Sequence, residues 1–187
     1  MSATIALAAP VVILDRDGTV VVDRNYLGDP LGLEFMPGAV AGLRKLHAMG
    51  SKLIIITNQS GIGRGILTLE QVERVNAGLS MMMDTIGAPL TATYFCPHAP
   101  DGKCDCRKPS PGLLLQAAKE HHFDPATCVV IGDKGSDIEL GKRVGAFTIL
   151  VEGEHAMAKS AQPDVVVNDL NEAAAIIQQH FFERASH

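Results

Sequence analysis

Two carboxylates two residues apart, Asp15 and Asp17, close the apolar run Val11-Val12-Ile13-Leu14 and are followed at once by Gly18-Thr19. On extended backbone, side chains at i and i+2 point the same way, so both acids face the space beyond the end of that segment. One carboxylate there can attack an electrophile while the other moves protons, the division of labour that a covalent two-step hydrolysis needs. The apolar run, mostly β-branched, predicts a strand buried on both faces. In parallel α/β sheets, ligands bind at the carboxyl ends of such strands.

Other predicted strands end in complementary chemistry. Leu53-Ile54-Ile55-Ile56 runs into Thr57-Asn58-Gln59-Ser60-Gly61, a hydroxyl and amides that offer neutral donors to an anion. Residues 127–131 run into Gly132-Asp133-Lys134-Gly135-Ser136-Asp137, another strand end that carries two acids. Residues 91–95 run into Cys96-Pro97-His98 and, after a loop with Pro100 and Gly102, Cys104-Asp105-Cys106. Cys96, His98, Cys104 and Cys106 make a Cys3His set with no open position, the pattern of a structural zinc. Arg107-Lys108-Pro109 follows directly, so a metal there would staple the base of two long cationic side chains.

Taken in order, these segments resemble the haloacid dehalogenase superfamily. Asp15-Arg16-Asp17-Gly18-Thr19 is similar to its D-x-D-G-T signature and residues 132–137 to its G-D-x-x-x-D motif. The resemblance implies that Asp15 is the nucleophile and Asp17 the general acid and base, with Thr57 and Lys108 holding the transferring phosphoryl group. It also implies Mg2+ on Asp15, the backbone carbonyl of Asp17, and Asp133, with Asp137 either behind the metal or at a helix start. The Cys-His cluster and Arg107-Lys108-Pro109 narrow it to a branch of small phosphatases acting on histidinol phosphate or heptose bisphosphate. On that branch Asp23, Arg24, Asn25 and Tyr26 match a sugar-contacting segment, and Asn58, Gln59, Ser60, Arg107 and Lys134 complete the substrate-binding set. Histidinol phosphatases typically carry an acid where Ser60 stands. A neutral residue there, with Arg64 and Arg107 nearby, suits a substrate with a second phosphate. The implied reaction is Mg-dependent removal of the 7-phosphate of D-glycero-D-manno-heptose 1,7-bisphosphate through an aspartyl phosphate. The alternatives are histidinol phosphate or another small phosphomonoester, and, in a different class, a non-catalytic zinc-stapled binding module.

The elements that must position these residues alternate. Pro37-Gly38 opens a helix with Val40, Leu43, Leu46 and Met49 at helical spacing, and Gly50 ends it. Thr68 with Gln71 forms a capping box for a helix to about residue 86, in which Met81-Met82-Met83 reads as packing. Further helices are predicted over 111–121, 138–144 and 170–182, and strands over 147–151 and 165–167. The pattern predicts an α/β fold, a doubly wound parallel sheet, as one domain over residues 1–187. No large cap domain is expected. The polar stretch from Val20 to Leu33 is expected to be a loop or small hairpin over the site. Gly61-Ile62-Gly63-Arg64-Gly65 lacks the spacing and lysine of a nucleotide loop.

Composition sets the frame. The chain of 187 residues, with 47% hydrophobic and 20% charged, fits an ordinary globular protein. A net charge of −5 argues against nucleic-acid partners, so an anionic substrate must be held by local cations and a metal. Residues 4–14 are apolar and Ala6-Leu7-Ala8 imitates a processing site, but no Lys or Arg precedes it and Pro10 interrupts the run. That segment is expected to be a ragged tail, the protein to be a cytoplasmic monomer with no membrane association, and its partner to be a small phosphorylated sugar.

Overall fold

Val12 and Leu14 of strand β1 (Val12–Leu14) pack into one hydrophobic core and Ile13, between them, into a second; all three are buried. A strand covered on both faces has no polar side, which is why the sequence here reads as an unbroken apolar run. The computed structural model describes residues 9–153 and 162–183, so the predicted tail over residues 1–8 lies outside the described residues.

Five more strands join β1: β2 (Leu53–Asn58), β3 (Ala92–Cys96), β4 (Val129–Gly132), β5 (Phe147–Val151) and β6 (Val165–Val167). All pair in parallel, in the order β3-β2-β1-β4-β5-β6. The chain winds outward from β1 in one direction through β3 and then returns to β4 to wind the other way. Ligand crevices of open α/β sheets form at that reversal, here beyond the ends of β1 and β4.

The helices are α1 (Ala39–Ala48), a single turn α2 (Ser60–Gly63), α3 (Leu69–Thr85), α4 (Gly112–His121), α5 (Gly135–Val144) and α6 (Leu170–Gln178). Leu43 and Leu46 of α1, Leu79 and Met83 of α3, and Ala173 and Ile177 of α6 cover the Val12 face. Leu114 and Ala117 of α4 and Leu140 of α5 cover the Ile13 face. The Thr68–Gln71 capping box forms as predicted, with the Gln71 N–H donating to Thr68 Oγ1 (3.2 Å) and the Thr68 N–H to Gln71 Oε1 (2.8 Å).

Some expectations shift. Val20 and Val21 are fully buried, Val21 bridging to Asp17 and Phe35, so the segment after the first motif starts in the core and only its middle reaches the site. β4 starts at Val129 because residues Pro125–Thr127 form a 3-10 turn capped by Asp124. Met83 is core, but Met81 is 70% exposed, so the methionine run is only partly packing. Among the described residues no helix is long and apolar enough to cross a membrane.

Candidate active site

Asp15 is the first residue past β1, and its N–H donates to the Ile131 carbonyl of β4 (3.0 Å), which ties the strand end across the crevice. Its carboxylate is buried, accepts from the Arg16 N–H (2.7 Å) and lies 2.8 Å from Lys108 Nζ. Lys108 is equally buried, donates to the Ile56 carbonyl (2.7 Å) and sits 2.6 Å from Asp137 Oδ1. Burial opposes charge on both groups. Lys108 and Lys134 nevertheless hold the Asp15 carboxyl below its ordinary range, and Asp137 and Asp15 raise Lys108 above its own. That balance favours the carboxylate form of Asp15.

Asp133, one residue past β4, shows the opposite balance. Burial and then the Asp15 charge push it up to about 7, with Lys134 opposing. Burial also pushes Asp137 up to about 6, against the nearby Lys108. Carboxylate oxygens of Asp15, Asp133 and Asp137 lie within 4.8 Å of one another. Such crowding of hard oxygen donors fits a magnesium ion. Asp137 already serves Lys108, and its Oδ2 accepts the Lys134 N–H (3.1 Å) at the start of α5. That leaves Asp15 and Asp133 as the carboxylates that could hold the cation. Gly18 closes the other side: it has φ +87°, and a Cβ there would meet Asp133 Oδ2 at 2.4 Å.

Asp17 is held by a buried clamp. Arg16, wholly inaccessible, presents Nε (3.1 and 3.2 Å) and Nη2 (3.0 Å) to the Asp17 carboxylate, while its Nη1 donates to Asn76 Oδ1 of α3 (2.8 Å). Gln59 Nε2 bonds Asp17 Oδ2 (2.8 Å) and Thr57 Oγ1 (2.9 Å), so it links the ends of β1 and β2. Sequence reasoning missed Arg16 and Asn76. The available signal was Asn76 standing among Val72, Val75 and Leu79 on the buried stripe of a helix.

Cys96, at the end of β3, His98, Cys104 and Cys106 converge as predicted. Cys96 Sγ lies 3.8 Å from Cys104 Sγ, 3.2 Å from Cys106 Sγ and 3.5 Å from His98 Nδ1, and His98 Nδ1 lies 3.2 Å from Cys106 Sγ. Thiolates around one zinc are about 3.8 Å apart, given Zn–S bonds of about 2.3 Å. The donor set fits. Burial and the neighbouring Cys96 and Cys104 push the Cys106 thiol up to about 12, crowding that a central cation relieves. Gly63 of α2 lets this loop dock: a Cβ there would meet the Ala99 backbone nitrogen at 2.4 Å, and the Gly63 N–H donates to the Pro97 carbonyl (2.8 Å). A second anchor was not foreseen. Asn58 donates to the Lys108 carbonyl (3.2 Å) and accepts the Lys108 N–H (3.0 Å), fixing the cation's backbone to β2 independently of any metal.

A cavity of about 260 Å³ opens over these groups, lined by Asp17, Asp23, Asn25, Tyr26, Asn58, Gln59, Ser60, Arg107 and Lys134 with Arg16, Leu27 and Ser136. Asn25 (φ 50°) and Tyr26 (φ 68°) are consecutive non-glycine residues in the left-handed region, a strained bend that turns this segment over the cavity. Lys134 Nζ bridges Asp23 (3.3 Å) and Asp133 (3.8 Å). Arg24 departs from the sequence reading: it pairs with Glu34 on the exposed side and is not part of the lining. Arg64 is likewise exposed, at the end of α2, and outside the lining.

Residues 105–173 match the HAD-hydrolase-like family model. Over 184 residues the chain is 36% identical to the D-glycero-beta-D-manno-heptose-1,7-bisphosphate 7-phosphatase of Yersinia pestis, an alignment covering 93% of this chain and 98% of that protein. The chain belongs to the haloacid dehalogenase superfamily of phosphatases. This phosphatase is also 44% identical, over 131 residues, to the protein of the same description from Helicobacter pylori, with 70% of this chain and 75% of that one covered. Its fold superposes on the crystal structure of the D,D-heptose 1,7-bisphosphate phosphatase from B. bronchiseptica, complexed with magnesium and phosphate, with a TM-score of 0.83 at 28% identity. The match spans 91% of this chain and 99% of that one. As a hydrolase of phosphoric monoesters, the phosphatase is not the non-catalytic module considered from sequence.

Proposed function

We propose that this phosphatase removes the 7-phosphate of D-glycero-β-D-manno-heptose 1,7-bisphosphate by way of a phosphate ester on Asp15. The observation that carries the reading is the Lys108–Asp15 pair, an anion and its cation buried beside a cavity whose lining also holds the neutral Ser60 and the cationic Arg107. The names of the relatives support the choice of sugar.

The Asp15 carboxylate attacks phosphorus; the Oδ–P bond forms as the bond to the sugar oxygen breaks, and Asp17 gives that oxygen its proton. Asp17 then takes a proton from water as the water oxygen bonds to phosphorus, and Asp15 is released with inorganic phosphate. Thr57 and Lys108 offset the charge of the transferring group. Asp15, Asp133 and the Asp17 carbonyl would hold a magnesium ion, whose charge draws nucleophile and phosphate oxygens together when bound. The phosphate that is not cleaved lies with Arg107 in this reading, and the hydroxyls with Asp23, Asn25 and Tyr26. Asn58, Gln59, Ser60 and Lys134 complete the substrate-binding wall, with Asn58 also acting as the anchor of Lys108. Zinc on Cys96, His98, Cys104 and Cys106 is structural.

The test is phosphate release from heptose 1,7-bisphosphate, histidinol phosphate and simple hexose phosphates, with magnesium and with chelator. The expected result is magnesium-dependent release with the highest kcat/KM on the bisphosphate. Higher kcat/KM on histidinol phosphate would overturn the substrate assignment.

A further inference from the structure

We propose that Arg16 and Asn76 are positioning residues that aim Asp17, and that Asn76 acts from α3 entirely through Arg16. The inference rests on the proton-transfer role proposed above for Asp17 and adds what holds that carboxyl in place.

A guanidinium is stable inside a protein only when its N–H groups find acceptors. Arg16 is fully buried; its Nε donates to both Asp17 oxygens, its Nη2 lies 3.0 Å from Asp17 Oδ2 as an ion pair, and its Nη1 donates to Asn76 Oδ1. The planar fork fixes the carboxylate by two points, as a flexible ammonium would not. Asn76 fixes the fork in turn. It is buried at a helix position shared with Val72, Val75 and Leu79, and its side-chain oxygen is directed at the guanidinium. The capping box at Thr68 and the packing of Leu79 and Met83 hold α3 itself. The chain of contacts therefore runs from the core through Asn76 and Arg16 to one catalytic carboxyl.

The clamp is also unequal on the two oxygens. Asp17 Oδ2 accepts from Arg16 Nε (3.2 Å) and Gln59 Nε2 (2.8 Å) and forms an ion-pair contact with Arg16 Nη2 (3.0 Å), whereas Oδ1 accepts only from Nε (3.1 Å). Oδ1 is thus the oxygen left to exchange a proton with the leaving group. A sugar alkoxide leaves poorly without that proton, while p-nitrophenolate leaves readily alone. Loosening the clamp should therefore harm alkyl phosphates far more than aryl phosphates in kcat/KM, which reports the step through first bond breakage.

The experiment compares kcat/KM for p-nitrophenyl phosphate with that for whichever sugar phosphate the parent enzyme hydrolyses, below the melting temperature of each variant. Asn76→Leu should lower the sugar-phosphate value about tenfold or more, with a much smaller loss on p-nitrophenyl phosphate. Asn76→Asp, which restores the acceptor, should recover most of the loss. Arg16→Lys, which keeps a buried cation but not the fork, should repeat the selective loss and serves if Asn76→Leu folds poorly. Equal losses on both substrates, or none on either, would overturn the proposal. Because the test is a ratio on any alkyl phosphate turned over, its failure is distinct from failure of the heptose assignment, which is read from the parent's substrate panel.

Discussion

Lys108 and Asp15 form an ion pair 2.8 Å long in which neither side chain is more than 6% exposed. Its removal uncovers three crowded carboxylates at once. Breaking such a buried pair costs about 3–5 kcal/mol. Lys108→Met is expected to lose turnover and to lower the free energy of unfolding in chelator by about that amount, measured by urea titration. A variant as stable as the parent would show that the pair is not the counter-ion of the site.

The same crowding predicts a gain. Asp133 has its charge opposed by burial and by Asp15, so Asp133→Asn should raise the melting temperature in chelator while abolishing activity. Magnesium should raise the melting temperature of the parent, since a ligand bound only by the folded state stabilises it, and leave the variant nearly unchanged. Thermal melts with and without the ion decide this. An equal response to magnesium in both proteins would place the cation elsewhere.

Lys108 has two anchors, the cysteine loop and Asn58. Cys104→Ser should eliminate bound zinc by metal analysis yet leave part of the turnover, because Asn58 still holds the Lys108 backbone. Asn58→Leu alone should also leave part. The double variant should lose more than the two single losses multiplied together, since each anchor covers for the other. Strict multiplicativity would mean the anchors do not share the same load.

A pH dependence follows from Asp164, the residue before β6. Burial opposes its charge, but bonds from Lys142 Nζ, the Thr148 N–H (2.8 Å) and Thr148 Oγ1 (2.7 Å) win and hold its carboxyl below the ordinary 3.8. A depressed folded value means the stabilisation is complete above the unfolded value and is lost as pH falls through the folded one. Asp164→Asn should cost about 1 kcal/mol at pH 7, below the roughly 1.5–3 kcal/mol of hydrogen bonds to a buried charged group because the Asp164 side chain is 33% exposed. The gap between the two proteins should close in strong acid. Urea midpoints along a pH series test it, and a gap that persists at the acid end would contradict the linkage.

What was legible in the sequence was local. The Val12–Leu14 run, the acids at its end and the Thr68–Gln71 cap need only neighbours within a few residues to declare themselves. The Cys-His cluster was legible because ligand chemistry restricts which residues can share a small space. Arg24 pairs with Glu34, a partner that lies outside the motif that suggested its role. Arg16 bonding Asn76, and Asn58 bonding Lys108, are contacts between distant stretches whose residue types are unremarkable in their own neighbourhoods. Val20 and Val21 were read with the polar residues after them, although their own side chains belong to the core.

The position of β1 at the centre of the sheet bears on how the molecule is made. Val12 pairs with Leu53 on one side but with Val129 on the other, so the strand that ends at Asp15 keeps a bare edge until the last third of the polypeptide has been synthesised. Pairings so distant close slowly, and exposed edges recruit other chains in the meantime. Nascent or truncated chains that stop before Val129 should therefore be the species that aggregate, and the carboxylate cluster is complete only once Asp133, past the end of β4, has docked beside Asp15.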